Sequence, residues 1–289
     1  MGDERNIERI TPGMPQYPSI LKEIKGYPTE LFCIGDIGLL KERCVAVVGS
    51  RNTTGYGRAM AVRIAREAAG AGLVIVSGMA RGIDTCAHRG ALDAQGKTIA
   101  VLGCGIDVCY PRENSALKEE IEKRGLIISE YPPETKPEKY FFPQRNRIIS
   151  GLSELTVVVQ AGNRSGALIT AELAAEQGRQ VCAVPGNIDS PYNMGNNKLI
   201  REGAFPVIGI KDIPEHMGVL RVERASAEKL LSSTEMKIYS MLEKHGEMSL
   251  DEICRILSKP PSYVASIVTV MELKGIVFSD IGKIFIAKG

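Results

Sequence analysis

The chain has 289 residues, of which 44% are hydrophobic and 24% are charged, and its mean hydropathy is −0.03. These values exclude wholesale disorder and allow one sizeable domain with a smaller second one. The net charge is only +2. Such a small charge excludes a global field that would attract nucleic acid, so any anion site must come from a local cluster of cations.

The cysteines and the apolar segments indicate the compartment. The seven cysteines are odd in number and form no C-x-x-C pair, which argues against a disulfide framework or a zinc site and favours a reducing cytosol. No apolar run approaches the roughly 18 residues that a membrane span needs, and the first residues lack a signal-peptide pattern. We therefore expect a soluble, cytoplasmic protein that contacts no membrane and needs no metal or cofactor.

Continuously apolar runs alternate with helical patterns over most of the chain. The runs predict buried strands at 44–49, 73–78, 98–103, 126–129, 155–159 and 181–184, and an edge strand at 205–208. Helices are predicted near 55–70, 81–95 and 166–178. Strands that are apolar on both faces are typical of a parallel sheet covered by helices. The predicted fold class is therefore α/β, with a Rossmann-like, doubly wound, mostly parallel sheet.

The last part of the chain has a different pattern. Amphipathic helices are predicted at 236–242 and 250–257, a third follows Pro260, and a hairpin surrounds residues 280–282. Three helices and a hairpin predict a small C-terminal winged-helix domain. The predicted organisation is a lead-in segment, a Rossmann-like domain, a linker and the winged helix, at residues 1–40, 41–212, 213–232 and 233–289.

The charge of the predicted winged helix does not favour DNA. Residues 233–289 contain seven basic and seven acidic residues, and the third helix has no Lys or Arg. A recognition helix normally supplies donors to phosphates and base edges. This domain is better suited to contacting protein, or to a weak DNA contact through Lys283 in the wing.

The loops after the strands carry the candidate site. Ligands of doubly wound sheets bind at the carboxyl ends of the strands, and the first three strands run into Gly49, Gly78 and Gly103. Ser50 and Arg51 then precede a helix, which predicts a phosphate site made of N–H groups, a hydroxyl and a guanidinium. A plain strand-to-helix turn is the alternative, and we favour the phosphate site.

Further loops repeat this logic. The second loop has Ser77, Gly78 and Arg81, and its Asp84 either caps the next helix or binds a sugar or a base edge; both alternatives stay open. A third phosphate-binding turn is predicted at Ser165 and Gly166, and Lys198 is a further candidate cation.

The segment at 140–150 is the most informative. It places Phe142, in a cluster of three aromatic residues, beside Arg145, Asn146 and Arg147. Rings next to guanidinium groups suit single-stranded nucleic acid. The alternative is that the rings belong to the core and the arginines to the surface, and we favour a binding role.

Two enzymatic patterns are rejected. Residues 91–98, ALDAQGKT, fit a relaxed Walker A pattern, but they end a helix and begin a strand, which is the reverse of the order that the mechanism needs. His88 is one of only three histidines, it lies within a predicted helix, and there is no G-x-S-x-G motif. No catalytic residue is therefore assigned.

Six segments in one order resemble the DNA-processing protein A (Smf) family: VAVVGSRNTTGYG, SGMARGIDTCAH, GCGIDVCYP, FPQRNRIISGLS, SGALITAELAAEQGR and AVPGN. The resemblance covers about residues 17–210. It implies an extended Rossmann fold that forms a homodimer, binds single-stranded DNA without sequence preference and delivers it to RecA recombinase in natural transformation.

The resemblance also assigns roles by position. Gly49, Ser50 and Arg51 match the family's phosphate-binding loop, and Phe142 matches its base-contacting aromatic. Arg145 and Arg147 match the family's basic cluster, and Ser165 and Gly166 match a turn that binds the DNA backbone. Gln160 stands where the family more often has Glu, and the helical segment that usually precedes the core is nearly absent, so the resemblance assigns no role at those places.

Two rival functions remain. One is a phosphoribohydrolase-like enzyme that uses the same cleft, but the stretch at 162–167 lacks the PGG-x-GT loop it would need and Glu172 is the only nearby carboxylate. The other is a transcription factor built on the winged helix, against which its uncharged third helix argues.

Overall fold

The structure of the protein, a computed structural model, describes residues 7–219, 231–274, 276–280 and 282–286. The chain divides into two units, Met1–Leu220 and Arg221–Gly289. All seven cysteines are free. No helix in the described parts of the chain has both the length and the apolar composition that crossing a membrane requires.

A nine-stranded sheet forms the centre of the first unit. In chain order its strands are β1 (Glu8–Ile10), β2 (Leu31–Gly35), β3 (Cys44–Gly49), β4 (Val74–Ser77), β5 (Thr98–Leu102), β6 (Leu126–Ser129), β7 (Leu155–Gln160), β8 (Gln180–Ala183) and β9 (Phe205–Pro206). Their order across the sheet is β1-β2-β6-β5-β4-β3-β7-β8-β9. Strands β3 to β9 are parallel to one another, and β1 and β2 add an antiparallel edge next to β6.

Helices cover both faces of this sheet. They are α1 (Ser19–Lys22), α2 (Gly55–Gly70), α3 (Ile83–Asp93), α4 (Ser115–Arg124), α5 (Phe141–Gly151), α6 (Gly166–Glu176), α7 (Met194–Arg201) and α8 (Asp212–His216). Successive residues of β3 alternate between the two layers, because side chains of a strand alternate in direction. Val45 and Val47 are buried with α2 and α3, whereas Ala46 and Val48 are buried with α5 and α6.

The direction in which successive strands are added to the sheet reverses between β3 and β7. From β3 the strands proceed through β4 and β5 to β6 on one side, and β7, β8 and β9 lie on the other. Such a reversal opens a crevice at the carboxyl ends of the two strands that flank it, here β3 and β7. This crevice is the place where the fold itself favours a ligand.

The second unit contains helices α9 (Ser233–His245), α10 (Leu250–Leu257) and α11 (Pro261–Leu273) and a three-stranded antiparallel sheet. Its strands are β10 (Glu247–Ser249), β11 (Val277–Asp280) and β12 (Lys283–Ile286). Both α9 and α10 begin with a capping box, in which an N-cap serine and a glutamate three residues on bond each other's backbone N–H groups. The three helices and the hairpin lie where the sequence predicts them, and their interpretation as a winged helix stays a prediction.

The predicted fold class is confirmed: the sheet is mostly parallel, doubly wound and covered on both faces. The sequence patterns did not predict β1, β2, α1, α4, α5, α7, α8 or β10. The stretch expected to be a linker begins within helix α8, where Ile213 and Met217 are buried in the core of the first unit. Residues 220–230 of that stretch lie outside the described residues, and the domain boundaries stay predictions.

Candidate functional site

A cleft of about 640 Å³ lies at the carboxyl ends of β3 and β7, where the strand order reverses. We call it the main cleft. It brings together eight of the thirteen residues that the sequence nominates: Gly49, Ser50, Arg51, Phe142, Arg145, Asn146, Ser165 and Gly166. Its volume is in the range of pockets that hold small organic ligands. The loops after β3 and β7 and the start of α5 form its walls.

Gln160, at the end of β7, fixes the conformation of the loop after β3. The buried Gln160 Oε1 accepts hydrogen bonds from the Thr53 hydroxyl (2.6 Å) and the Thr54 backbone N–H (2.8 Å). The Ser50 N–H donates to the Gln160 carbonyl at 2.7 Å. Among the described contacts, the N–H groups of Arg51 and Asn52 are not bonded, so they are available to an anion.

Arg145 forms the floor of the main cleft. It is only 3% exposed, and its Nη1 donates to the carbonyls of Gly78 (2.6 Å) and Val101, at the ends of β4 and β5. A Cβ on Gly78 would lie 2.4 Å from the guanidinium, so only glycine lets the guanidinium reach this position. Burial lowers the pKa of Arg145 to about 10, and the nearby Asp84 opposes that shift. The guanidinium is therefore charged at neutral pH.

Phe142 forms a ring platform beside Arg145. A Cβ on Gly103 would lie 2.8 Å from the ring, so the glycine at the end of β5 lets the ring lie on the backbone. The Arg51 guanidinium carbon is 5.1 Å from the Phe142 ring centroid, and the Tyr110 ring is 5.3 Å away. A cation over an aromatic face is attracted by the ring's negative surface. Loops from β3 and β5 and helix α5 thus meet at one ring.

Asp84, in the first turn of α3, lines the same cleft and is 5% exposed. Its Oδ2 accepts hydrogen bonds from the N–H groups of Gly78 (3.2 Å) and Ala80 (3.4 Å). Burial raises the pKa of this carboxyl group, and the charge of Arg145 opposes the rise. The carboxylate therefore shapes the loop after β4, and it lies within the field of the buried guanidinium.

The opposite wall comes from the turn before α6. The Ser165 hydroxyl caps α6 by accepting a hydrogen bond from the Ala167 N–H, and the Asn146 side chain donates to the Gly166 carbonyl at 3.4 Å. A helix N-terminus carries partial positive charge, which favours an anion in front of it.

The charge of the main cleft differs from that of the whole chain. Its lining has four cationic side chains and one carboxylate: Arg51, Lys139, Arg145, Arg164 and Asp84. Lys139, Arg164 and Tyr110 are absent from the residues nominated by sequence, whereas a binding role for Asp84 was one of two alternatives that the sequence leaves open. A local cluster of cations is therefore present in a protein of nearly neutral net charge, as the anion site requires.

A second cleft of about 620 Å³ adjoins the first and shares Arg51, Tyr110 and Phe142 with it. Gly78 and Arg81 line this side cleft, so two more nominated residues lie close to the main one. Arg81 pairs with Glu113 at 2.9 Å, and both side chains are largely exposed. Such exposed pairs are weak, so Arg81 can exchange its partner for an anion.

Three nominated residues are not brought into either cleft. The Ser77 side chain is buried and its hydroxyl donates to the Val47 carbonyl at 2.7 Å, so it joins two strands. Arg147 forms an ion pair with Glu130 instead. Lys198 lies on α7, 3.7 Å from Glu202, outside the residues that line the clefts. The structure therefore places these three side chains outside both clefts, and a direct binding role there gains no support from it.

His88 is a core residue. It is fully buried, and its Nδ1 lies 2.7 Å from the Thr98 hydroxyl, which itself donates to the Ile75 carbonyl. Because the Thr98 proton is already donated, Nδ1 must carry the imidazole proton. Nε2 then has a bare lone pair with no partner among the described residues. Burial and the charge of Arg145 lower the pKa of His88 to about 3.

Comparisons with known proteins agree with this architecture. The model of the family described as DNA recombination-mediator protein A matches residues 8–218. The DNA processing protein DprA of Bacillus subtilis (strain 168) is 47% identical over 215 residues, which span 74% of this chain and 72% of that protein.

Two solved structures share the fold. The X-ray structure of DNA processing protein A from Streptococcus pneumoniae has a TM-score of 0.69 and 44% identity, over 72% of this chain and 74% of that chain. A Helicobacter pylori DNA processing protein A, studied for its single-stranded DNA binding mode, has a TM-score of 0.68 and 32% identity, over 75% and 98% of the two chains. On the extent of the family match, this chain belongs to the DNA recombination-mediator protein A family.

Proposed function

We propose that this chain binds single-stranded DNA in the main cleft without a requirement for a particular sequence, and that it does so without catalysing a reaction. The observation that carries the proposal is the meeting of Arg51, Phe142 and Arg145 at the reversal of strand order. Unbonded N–H groups and an exposed guanidinium suit a phosphate, and a ring beside them suits an unpaired base. The single-stranded DNA binding mode studied in the Helicobacter pylori relative supports this choice of ligand.

The geometry favours a single strand over a duplex. The ring of Phe142 is half-buried at the bottom of a cleft, where Arg51 and Tyr110 flank it. A base can reach such a ring only if its face is free, and in a duplex both faces of each base are covered by stacking. Stacking and phosphate contacts are also shared by all nucleotides, which explains tolerance of sequence.

A gel-shift titration with short oligo-dT over a series of salt concentrations tests the proposal. We expect binding to weaken steeply with salt, because phosphate contacts release counterions. The variant Arg51→Ala should bind more weakly and show a shallower salt dependence. Equal affinity of the wild type for duplex and single strand would contradict the proposal, as would release of a free base from nucleoside monophosphates.

Membership of the family motivates a finer proposal. We propose that the protein works as a homodimer in the cytoplasm and loads RecA recombinase on DNA taken up in natural transformation. Support comes from membership of a family described as recombination mediators. The test is formation of RecA filaments on single strands covered by a single-strand-binding protein. Filament growth should accelerate when this protein is added, and an unchanged rate would contradict the loading role.

The hydrolase alternative gains no support from the cleft. Among the described residues that line it, Asp84 is the only carboxylate, and the backbone N–H groups of Gly78 and Ala80 engage it. Glu172, the candidate proposed from sequence, is exposed on α6 and lies outside the lining.

A further inference from the structure

Two buried charged side chains on the floor of the main cleft have hydrogen-bonding atoms that the protein leaves unused. Both hydrogen bonds of Asp84 end on Oδ2, and Oδ1 has no partner among the described residues. In Arg145, Nη1 and Nε are bonded, and Nη2 has no partner among them. The side chains are 5% and 3% exposed, and both line the cleft.

Neither unused atom is among the described side-chain atoms that are sealed from solvent without a partner, so both are open to the cleft and accessible to a ligand. A charged group that is more than nine-tenths buried loses its water and normally recovers the energy through hydrogen bonds. Asp84 already performs its structural task through one oxygen, so the second oxygen is not needed to hold the loop after β4. The floor of the cleft therefore presents one acceptor, Asp84 Oδ1, and one donor, Arg145 Nη2.

The ring platform places a base next to this pair. Phe142 and Arg145 are three residues apart on α5, so their side chains leave the helix on the same side. They lie on neighbouring strand ends, the ring on Gly103 and the guanidinium on Gly78. A base that contacts the ring thus has its edge directed along the cleft toward Arg145 and Asp84.

We propose that Asp84 and Arg145 bind the edge of a keto base, thymine, uracil or guanine, at one nucleotide position of the bound strand. In these bases a ring N–H, a donor, lies beside a carbonyl oxygen, an acceptor. Asp84 Oδ1 accepts from the ring N–H, and Arg145 Nη2 donates to the carbonyl. Cytosine presents an unprotonated ring nitrogen at the equivalent place, which leaves the carboxylate facing a lone pair. This preference rests on the proposed binding of single-stranded DNA and is confined to one site of an otherwise sequence-tolerant cleft.

The wild-type test compares short oligo-dU and oligo-dC of equal length at mildly alkaline pH, which favours the ionised form of the Asp84 carboxyl group because burial raises its pKa. The two differ only in the base edge, so stacking and phosphate contacts are matched. We expect oligo-dU to bind about five- to tenfold more tightly, in keeping with the size of a good base-edge contact. Tight binding of both with equal affinity would overturn the inference and leave the proposed function intact, whereas failure to bind either would defeat the proposed function itself.

The variant Asp84→Asn provides a reversal test. The N–H groups of Gly78 and Ala80 donate to an oxygen, so in the variant they bind the amide oxygen of the asparagine. The NH₂ group then takes the place of Asp84 Oδ1 and faces the cleft. Two donors then face the base, an arrangement that suits the ring nitrogen and carbonyl of cytosine. The order of affinities should reverse in favour of oligo-dC. An equal loss for both oligomers would show that Asp84 only supports the loop.

A modified ligand tests the inference without changing the protein. Oligomers of N3-methyl-2′-deoxyuridine keep the sugar, the ring and both carbonyls of oligo-dU and lack the ring N–H. Wild-type protein should bind them no better than oligo-dC, and retention of the oligo-dU affinity would overturn the inference. Because this arm uses the native chain, its outcome stands even if Asp84→Asn fails to fold. Matching thermal midpoints of variant and wild type establish that the variant is folded.

Discussion

At the scale of single residues, the arginines of α5 illustrate how position on a helix decides a role. Arg145 and Arg147 are two residues apart, which on a helix turns their side chains about 200° away from each other. Arg145 enters the main cleft, and Arg147 points to the other side, where it forms an ion pair with Glu130. The sequence shows two equivalent guanidinium groups, and the helix makes only one of them available to a ligand.

This difference predicts opposite phenotypes for two alanine variants. Arg147→Ala should lower the free energy of unfolding by about 1–2 kcal/mol, because Glu130 loses a half-buried partner. Its affinity for oligo-dT should equal that of the wild type. Arg51→Ala is the matched control, with lower affinity and unchanged stability, since that side chain is exposed. A binding defect in Arg147→Ala that persists at full folding would contradict the placement of this side chain.

His88 predicts a dependence of stability on pH. Its pKa is about 3 in the folded state and about 6.5 when unfolded. Between these two pH values, His88 is protonated in the unfolded chain and neutral in the folded chain. The free energy of unfolding therefore falls as the pH falls below about 6.5, and His88 does not change it above that pH. The loss should be on the order of 1 kcal/mol for each pH unit.

The measurement is the thermal midpoint of the wild type and of His88→Gln between about pH 7 and pH 5, a range in which few carboxylates titrate. We expect the midpoint of the wild type to fall and that of the variant to stay nearly level. Parallel curves for the two proteins would show that His88 does not control this range.

At the scale of elements, the glycines that end β4 and β5 determine how α5 meets the sheet. Gly78 lies under the Arg145 guanidinium and Gly103 lies under the Phe142 ring. A side chain at either position would separate the helix from the strand ends. The shape of the cleft therefore depends on glycine at positions 78 and 103 as well as on the Phe142 ring and the Arg145 guanidinium.

The variant Gly103→Ala should therefore impair binding through Phe142. Its Cβ would lie 2.8 Å from the ring, so the ring must move and the platform is lost. We expect about tenfold weaker binding of oligo-dT, the order of one base–aromatic stacking contact. Gly55→Ala, which adds a methyl group in open space at the start of α2, is the control and should bind normally. Equal affinity of both variants would argue against stacking on Phe142.

The sequence predicts the central strands well because burial on both faces leaves a continuous apolar run. The sequence pattern does not predict helix α5, because Pro143 interrupts it. Proline is nevertheless tolerated in the first helical turn, where a backbone N–H has no partner within the helix. Without that helix, the divergence of Arg145 and Arg147 cannot be foreseen. The role of Gln160 depends on contacts with Thr53 and Thr54, which are distant in sequence, and no local pattern contains them.

At the scale of the whole molecule, every residue that lines the two clefts belongs to Met1–Leu220. The second unit has its own core. The charge balance of residues 233–289 is neutral. Single-strand binding is therefore expected to be a property of the first unit.

Removal of residues 221–289 tests this separation. We expect the shortened chain to bind oligo-dT in the salt series with the affinity and slope of the full chain. Gel-shift titrations of both proteins provide the measurement, and circular dichroism confirms that the shortened chain is folded. A large drop in affinity with intact folding would mean that the second unit supplies contacts to DNA.

The guanidinium of Arg51 over the Phe142 ring has a consequence for selectivity. A base that stacks on this ring must first displace the guanidinium, which then needs a new partner. A strand supplies one in its adjoining phosphate, whereas a free nucleoside or base offers none. The exchange thus couples base stacking to phosphate binding, and isolated bases are expected to compete poorly with a polynucleotide for the cleft.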